Sequence, residues 1–184
     1  MAEMPPGGML SRNRLAGIAP AAALHPMIEA KLWENPCWFS FRINFLGHHF
    51  SLPVYGWIER RYGLMRPEYA VLYALGLRDG IAAKDVCAST GLPKNTISRA
   101  IQELLRRKLI RRVTDRRDRR SFVLRLAAEG RRIVDETVPA MVEREKRMLE
   151  TLNGEEQRML SSLLARVVTD SFKWPTQINR ETSK

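Results

Sequence analysis

The hydrophobic period of the chain changes within residues 91–126. From Ile97 to Leu105, apolar residues recur every three or four positions, which is typical of a helix with one buried face. From Ile110 onward, the period switches to two and predicts two short strands at residues 110–114 and 122–126; in the second, Phe122, Leu124 and Leu126 occupy alternate positions. Residues 115–120 between the strands are all charged, so they predict an exposed hairpin tip. The pattern restricts this stretch to a helix followed by a β-hairpin.

A shorter helix is predicted just before this one, at about residues 82–89. Gly91 follows it, and Pro93 lies where the first turn of a helix tolerates proline. Because glycine adopts the left-handed backbone of a tight turn without a steric penalty, Gly91 predicts a helix-turn-helix. Helix, glycine turn, helix and hairpin follow one another in the order of a winged helix-turn-helix.

Positive charge is concentrated in the same stretch. The chain has 184 residues and a net charge of +11, and residues 91–132 alone carry +10, with 14 of the 31 Lys and Arg and 4 of the 20 acids. Such an excess indicates a surface for a polyanion. One α-helix fits the major groove of DNA, and arginine suits a narrow minor groove. The predicted DNA contacts are Lys94, Asn95, Thr96, Ser98 and Arg99 on the helix, and Arg116, Arg117, Asp118, Arg119 and Arg120 at the tip, where Asp118 is expected to hold Arg120 in place.

Helical patterns flank this lobe on both sides. The aromatic residues from Trp38 to Tyr55 fall on two stripes, which predicts a helix buried on two sides, between its own domain and a partner subunit. Pro53 is expected to kink or split it. Asn153 and Glu156 predict a capping box that opens a last helix. We therefore predict a mainly α fold with a small β-hairpin wing, comprising a flexible arm (1–34), dimerisation helices (35–64 and 127–174), a winged helix-turn-helix lobe (65–126) and a frayed tail (175–184).

Two parts of the sequence resemble the MarR family of bacterial transcription regulators. One is the leucine-rich and basic stretch at residues 104–112, and the other runs from Asp118-Arg119-Arg120 to Gly130. Over residues 35–172 the resemblance implies a homodimer built by the terminal helices, which binds pseudo-palindromic double-stranded DNA. It also implies a small anionic or phenolic effector that relieves repression.

The chain departs from the family pattern at two positions. Lys108 stands where glycine is common after the recognition helix, and a left-handed lysine there costs about 1 kcal/mol. Ala127 replaces the usual threonine, which removes a helix cap worth about 1 kcal/mol. Neither position is expected to contact DNA, so neither changes the functional interpretation.

The aromatic first helix offers a candidate effector pocket, with an aromatic carboxylate as the expected ligand. Arg42 would pair with the carboxylate, and ordinary interface packing is the alternative. The adjacent residues His48 and His49 point about 100° apart on a helix and share one metal poorly, so no metal and no cofactor are expected. The candidate pocket residues are Trp38, Arg42, Phe45, His48, His49 and Tyr55.

Two alternative functions remain open at this point. Cys37 resembles the sensing cysteine of the peroxide-responsive branch of the family, although Trp38, Phe39 and Phe41 follow it where that branch has tyrosines. The second alternative is a general nucleic-acid-binding winged helix without an effector.

Other classes of protein fit the sequence poorly. There is no glycine-rich phosphate loop, no suggestive Ser/His/Asp set and no Cys/His cluster, so we do not expect an enzyme. No apolar run approaches the ~18–20 residues of a membrane span, so no membrane partner is expected. Two cysteines fit a reducing compartment, and a cytoplasmic protein is therefore expected.

Overall fold

A computed structural model describes residues 24–115, 118, 120–175 and 177. The helices and strands are α1 (Pro26–Trp33), α2 (Trp38–Tyr62), α3 (Arg66–Leu77), α4 (Ala83–Thr90), α5 (Lys94–Arg106), β1 (Ile110–Thr114), β2 (Phe122–Leu126), α6 (Ala128–Met148) and α7 (Gly154–Ser171). The predicted fold class is confirmed: the described chain is mainly helical with one antiparallel hairpin. It divides into two compact units between Thr137 and Val138.

The core of the first unit lies between α3, α5 and the hairpin. Leu72, Leu75 and Leu104 are fully buried there, and Leu124 of β2 is 2% exposed. The strands pair in register, with Ile110 opposite Leu126. Burial of each such side chain is worth about 1.5–3 kcal/mol. This packing therefore fixes the rotation of α5 about its axis and leaves its opposite face in solvent.

The turns at the two ends of α5 follow the sequence prediction. Gly91 has φ +64° and ends α4, and Pro93 is the N-cap residue of α5. At the other end, Lys108 has φ +57°, so it adopts the left-handed backbone that favours glycine. The N–H of Lys108 donates to the Leu105 carbonyl at 3.0 Å, and that of Leu109 donates to the Leu104 carbonyl at 2.9 Å. This pair of bonds is a Schellman motif.

The start of α6 packs directly on the chain that leads into the hairpin. The N–H of Ala127 donates to the Leu109 carbonyl at 3.0 Å. A Cβ atom added to Gly130 would lie 2.1 Å from the same carbonyl oxygen. Only glycine fits at this position, because the obstacle is backbone and has no rotamer by which to move away.

Three details of the first unit differ from the sequence prediction. Pro26–Trp33 forms α1 although residues 1–34 were expected to be irregular, and residues 1–23 of that predicted arm lie outside the described residues. α2 continues through Pro53 as one helix and is not split there. In β2 the strict alternation fails, since Phe122 is 58% exposed and Val123 is 9% exposed.

In the second unit, the predicted capping box of α7 is confirmed. Asn153 Oδ1 accepts from the N–H groups of Glu155 and Glu156 at 2.9 and 3.0 Å. In turn, the Glu156 carboxylate accepts from the Asn153 N–H at 2.8 Å. α7 itself buries none of its residues. Most of the predicted tail, residues 176 and 178–184, lies outside the described residues.

Within the described part of the chain, no helix is long and apolar enough to cross a bilayer.

Candidate nucleic-acid interface

The outward face of α5 is polar and basic from its first turn. Ile97 and Ala100 lie on the buried side, and Ser98 and Arg99 between them project into solvent. The first N–H groups of a helix have no intrahelical partner, and the positive end of its dipole favours phosphate. The predicted contacts Lys94, Asn95, Ser98 and Arg99 are exposed, and Thr96 is half-buried. The structure therefore places all five on or next to one accessible surface.

Two further turns of α5 extend this face. Ser98, Arg99, Gln102, Glu103 and Arg106 line one shallow depression. Arg106 forms an ion pair with Glu103 at 2.5 Å, and its hydrogen bond lowers the pKa of the Glu103 carboxyl. Sequence reasoning left Gln102 and Glu103 out of the site. The three- and four-residue spacing from Ser98 and Arg99 is the signal that would have included them.

The hairpin tip is closed by its own polar groups. Asp118 Oδ1 accepts from the backbone N–H of Arg120 at 2.9 Å, and the Asp118 carbonyl accepts from the Ser121 N–H at 3.0 Å. We expected Asp118 to hold the Arg120 side chain, whereas the bond holds the Arg120 backbone, as in an Asx turn. Arg120 is exposed. Arg116, Arg117 and Arg119 lie outside the described residues.

The base of the hairpin is held by the loop that follows α3. Asp79 Oδ1 accepts from the Leu126 N–H at 2.9 Å. Its other oxygen lies 3.5 Å from Arg125 and 3.9 Å from Arg131. The carboxylate therefore joins the end of β2, through the Leu126 N–H and the Arg125 side chain, to the start of α6 and holds the base of the hairpin against the loop after α3.

The candidate effector residues at the start of α2 serve an internal contact. Arg42 Nη2 donates to the Leu32 carbonyl at 2.7 Å, and its guanidinium lies 4.8 Å from the Trp38 ring and 5.5 Å from the Trp33 ring. The Arg42 guanidinium thus caps the end of α1 and lies near two indole rings. This contact explains why the short α1 is helical, since an isolated eight-residue helix is marginal in water.

The remaining candidates are spread along α2. The rings of Phe45 and His49 lie 4.4 Å apart, and His48 is exposed. Tyr55 lies further along α2, and its ring centroid is 6.2 Å from that of Tyr69. At about 1.5 Å of rise per residue, Trp38 and Tyr55 are roughly 26 Å apart along the helix axis. One small molecule does not span that distance, so a single chain does not bring the six residues into one pocket.

Tyr55 faces a large groove between α3, α4 and the hairpin. The groove is also lined by Tyr73, Asp79 and Asp85, and by the cations Lys84, Arg111 and Arg125. Its described lining thus combines aromatic rings with four cations, Arg78 and Arg111 among them, and an equal number of aspartates. Among the residues that the structure describes, no three His, Cys, Asp or Glu side chains are grouped as metal ligands.

Residues 62–121, which run from the end of α2 to the hairpin tip, match the model of the MarR family. This stretch, about a third of the chain, is similar to the MarR family. This match confirms the resemblance drawn from the wing motif and the recognition-helix end. The family consists of regulators, in agreement with the expectation that the chain is not an enzyme.

Similar proteins give the same result. Transcriptional regulator HosA of Escherichia coli O111:H- is 28% identical over 112 residues, which cover 61% of this chain and 83% of HosA. The S. aureus MepR–DNA complex superposes with a TM-score of 0.63 at 20% identity, over 72% of this chain and 95% of MepR. A structure of Bordetella bronchiseptica BpsR, whose DNA binding is regulated by 6-hydroxynicotinic acid, gives 0.54 at 24% identity, over 69% of this chain and 98% of BpsR. These two structures establish the likeness of fold.

Proposed function

We propose that the protein is a sequence-specific DNA-binding transcription regulator. One observation carries the proposal: α5 buries Ile97, Ile101 and Leu104 and thereby turns a polar and basic face outward, beside a hairpin with a basic tip. A recognition helix and a wing in this arrangement fit adjacent major and minor grooves. The likeness of fold to MepR, which was solved bound to DNA, supports the same interpretation.

The predicted contacts take different roles in this proposal. Asn95, Ser98 and Arg99 have the donors and acceptors that recognise base edges, whereas Lys94 and Thr96 at the first turn suit phosphates. Arg120 enters the minor groove, and Asp118 fixes the turn that presents it. Arg116, Arg117 and Arg119 belong to the same basic tip and add further phosphate or minor-groove contacts.

We also propose a homodimer that binds a pseudo-palindromic site. Two helices carry apolar side chains that lie exposed in a single chain: Leu46 and Leu52 of α2 are 51% and 70% exposed, and Met159 and Val168 of α7 are 66% and 60% exposed. Apolar faces of this kind are typical of helices that pack against a second subunit. In this proposal the dimerisation helices lie within residues 35–64 and 127–174, and the DNA-binding lobe comprises residues 65–126. Sedimentation at micromolar concentration tests the dimer, and a monomer would contradict it.

Selection of duplexes from a random-sequence pool tests sequence-specific binding directly. The wild-type protein should enrich a two-fold symmetric sequence. Arg99→Ala should weaken binding to the enriched duplex more than binding to the starting pool, because a base contact separates the two affinities. Arg158→Ala in α7 removes the same charge in the second unit and should change neither affinity. Failure of the wild-type protein to enrich any sequence would refute the proposal.

The wing is tested by a separate substitution. Arg120→Ala should lower the affinity for the enriched duplex, with a matching loss of salt dependence of about one charge. An affinity that does not change at physiological salt would remove the wing from DNA recognition.

We propose that the regulator is a repressor released by an aromatic carboxylate that binds in the groove beside Tyr55. Tyr55 and Tyr73 offer rings to stack on, and Lys84 and Arg111 offer positive charge. The regulation of BpsR by 6-hydroxynicotinic acid, itself an aromatic carboxylate, supports this class of ligand. A ligand that prefers the conformation with misplaced recognition helices lowers the affinity for DNA, and DNA lowers the affinity for that ligand by the same factor. Since the protein acts on chromosomal DNA, we propose that it acts in the cytoplasm.

A thermal-shift series with benzoate and 6-hydroxynicotinate tests the effector site. A ligand of the native state raises the melting temperature, and Tyr55→Ala should abolish the rise whereas His48→Ala should preserve it. Loss of the rise in Trp38→Ala alone would move the site to the α1–α2 contact, and no rise in the wild-type protein would refute this ligand class. Loss of DNA binding on peroxide treatment, abolished by Cys37→Ser, would assign a redox switch in place of the effector.

A further inference from the structure

Arg107 differs from its neighbour Arg106 in the direction of its side chain. Both end α5, yet the Arg107 side chain is 27% exposed and that of Arg106 is 73% exposed. The Arg107 guanidinium donates from Nη1 to the Gly63 carbonyl at 2.7 Å and from Nη2 to the Tyr62 carbonyl at 2.8 Å. These carbonyls end α2, where the last C=O groups of a helix have no intrahelical N–H donors. Arg107 therefore caps one helix from the end of another.

A carboxylate completes this contact. Glu68 Oε2 lies 4.0 Å from Arg107 Nη1, and the Glu68 side chain is 14% exposed. The same oxygen accepts from the Met65 N–H at 2.8 Å and so caps α3. One guanidinium thus joins the end of α2, the start of α3 and the end of α5. We call this set, Arg107 with the Tyr62 and Gly63 carbonyls and Glu68, the Arg107 clamp.

The clamp is anchored on its far side as well. The Tyr62 hydroxyl donates to Glu136 Oε2 at 2.7 Å and accepts from Arg61 Nε at 3.0 Å. Hydrogen bonds from Tyr62 and Arg132 lower the pKa of the Glu136 carboxyl and so stabilise its charged form. Tyr62 therefore connects the end of α5, through its carbonyl, to α6, through its hydroxyl.

We propose that Arg107 is a positioning residue for DNA recognition and does not itself contact DNA. This inference rests on the proposed function. The clamp holds the end of α5 that is remote from the first turn, and the helix between them is about 18 Å long at about 1.5 Å per residue. A rotation of about 5° at the clamp moves the first turn by about 1.5 Å, which exceeds the roughly 0.5 Å tolerance of a positioned contact.

The test compares two substitutions at Arg107 with one at Arg106. The probes are a duplex enriched by the wild-type protein and a random-sequence duplex, each titrated over a range of salt concentrations. Arg107→Lys keeps the charge but lacks the planar fork that bridges two carbonyls, so it should lose affinity for the enriched duplex about tenfold, as should Arg107→Ala. Binding to the random duplex, and the slope of affinity against salt, should change little in both variants.

The control separates positioning from charge. Removal of a phosphate contact lowers both affinities together and reduces the salt slope by about one, and Arg106→Ala is the variant in which we look for that signature. The same signature in Arg107→Ala, or wild-type affinity in Arg107→Lys, would overturn the clamp. Thermal melts of each variant verify that the fold is retained. Failure of the wild-type protein to enrich any duplex is a different result, which refutes the proposed function.

Discussion

Lys108→Gly is expected to stabilise the protein, because Lys108 is left-handed at φ +57°. The left-handed backbone costs an ordinary L-residue about 1–2 kcal/mol relative to glycine. Glycine also adds conformational freedom to the unfolded chain, which offsets about 0.4–1 kcal/mol of this stabilisation. The Lys108 side chain is exposed, and the Schellman bonds are made by the backbone, so glycine keeps them. The net expectation is a gain of about 0.5–1 kcal/mol in the free energy of unfolding.

Urea denaturation measures this gain as a higher midpoint with an unchanged m value. The matched control is Lys108→Ala, which removes the same charge from the basic segment but keeps a Cβ in the left-handed position. Equal midpoints for the two variants would assign the gain to relief of charge repulsion. A lower midpoint for Lys108→Gly would refute the reasoning from backbone conformation. All samples need the same protein concentration, because the stability of an oligomer depends on it.

Three other substitutions test separate features of the fold. Gly130→Ala should destabilise the protein by about 2 kcal/mol or more, because its Cβ would lie 2.1 Å from the Leu109 carbonyl oxygen; a urea midpoint equal to that of the wild-type protein would contradict this contact. Asn153→Ala should cost about 1 kcal/mol by removing the cap of α7, measured as faster amide hydrogen exchange in the first turn of that helix, and unchanged exchange would show that the cap is dispensable. Glu136→Gln should make the free energy of unfolding fall less steeply as the pH is lowered. Hydrogen bonds from Tyr62 and Arg132 lower the pKa of Glu136 in the folded state. The stabilisation by Glu136 is therefore present above about pH 4.5 and is lost as the pH falls through the lower pKa of the folded state. Urea midpoints at about pH 6 and about pH 3 measure this, and an equal fall in the variant and the wild-type protein would contradict it.

Features that depend on neighbours in the sequence were predicted correctly. The capping box at Asn153, the tight turn at Gly91 and the buried stripe of α5 each involve residues within four positions of one another. Such contacts form within one turn or one period, so the order of residue types determines them. The hairpin followed for the same reason, since its two strands adjoin a charged tip.

Long polar side chains were not predictable in this way. Arg42, assigned to an effector, instead caps α1 and stacks on Trp38. Arg106 and Arg107 are adjacent and chemically identical, yet their side chains point in different directions. Arg106 faces solvent, whereas Arg107 bonds to the Gly63 carbonyl at the end of α2, which is 44 positions earlier in the sequence. An arginine has many rotamers, and its partner is chosen by whichever carbonyl or carboxylate the packing of distant segments brings within reach.

The sequence by itself therefore determined the winged helix-turn-helix, its exposed basic face and its resemblance to the MarR family. Periodicity, turn chemistry and the Asp118-Arg119-Arg120 motif are local signals, and together they leave one arrangement for residues 91–126. Only the tertiary structure decided which arginines are free to meet DNA, how Asp79 aims the hairpin and where Tyr55 lies relative to Trp38. These features depend on how helices far apart in the sequence pack against one another. The burial of apolar faces determines that packing, and the polar groups that become neighbours are a consequence of it.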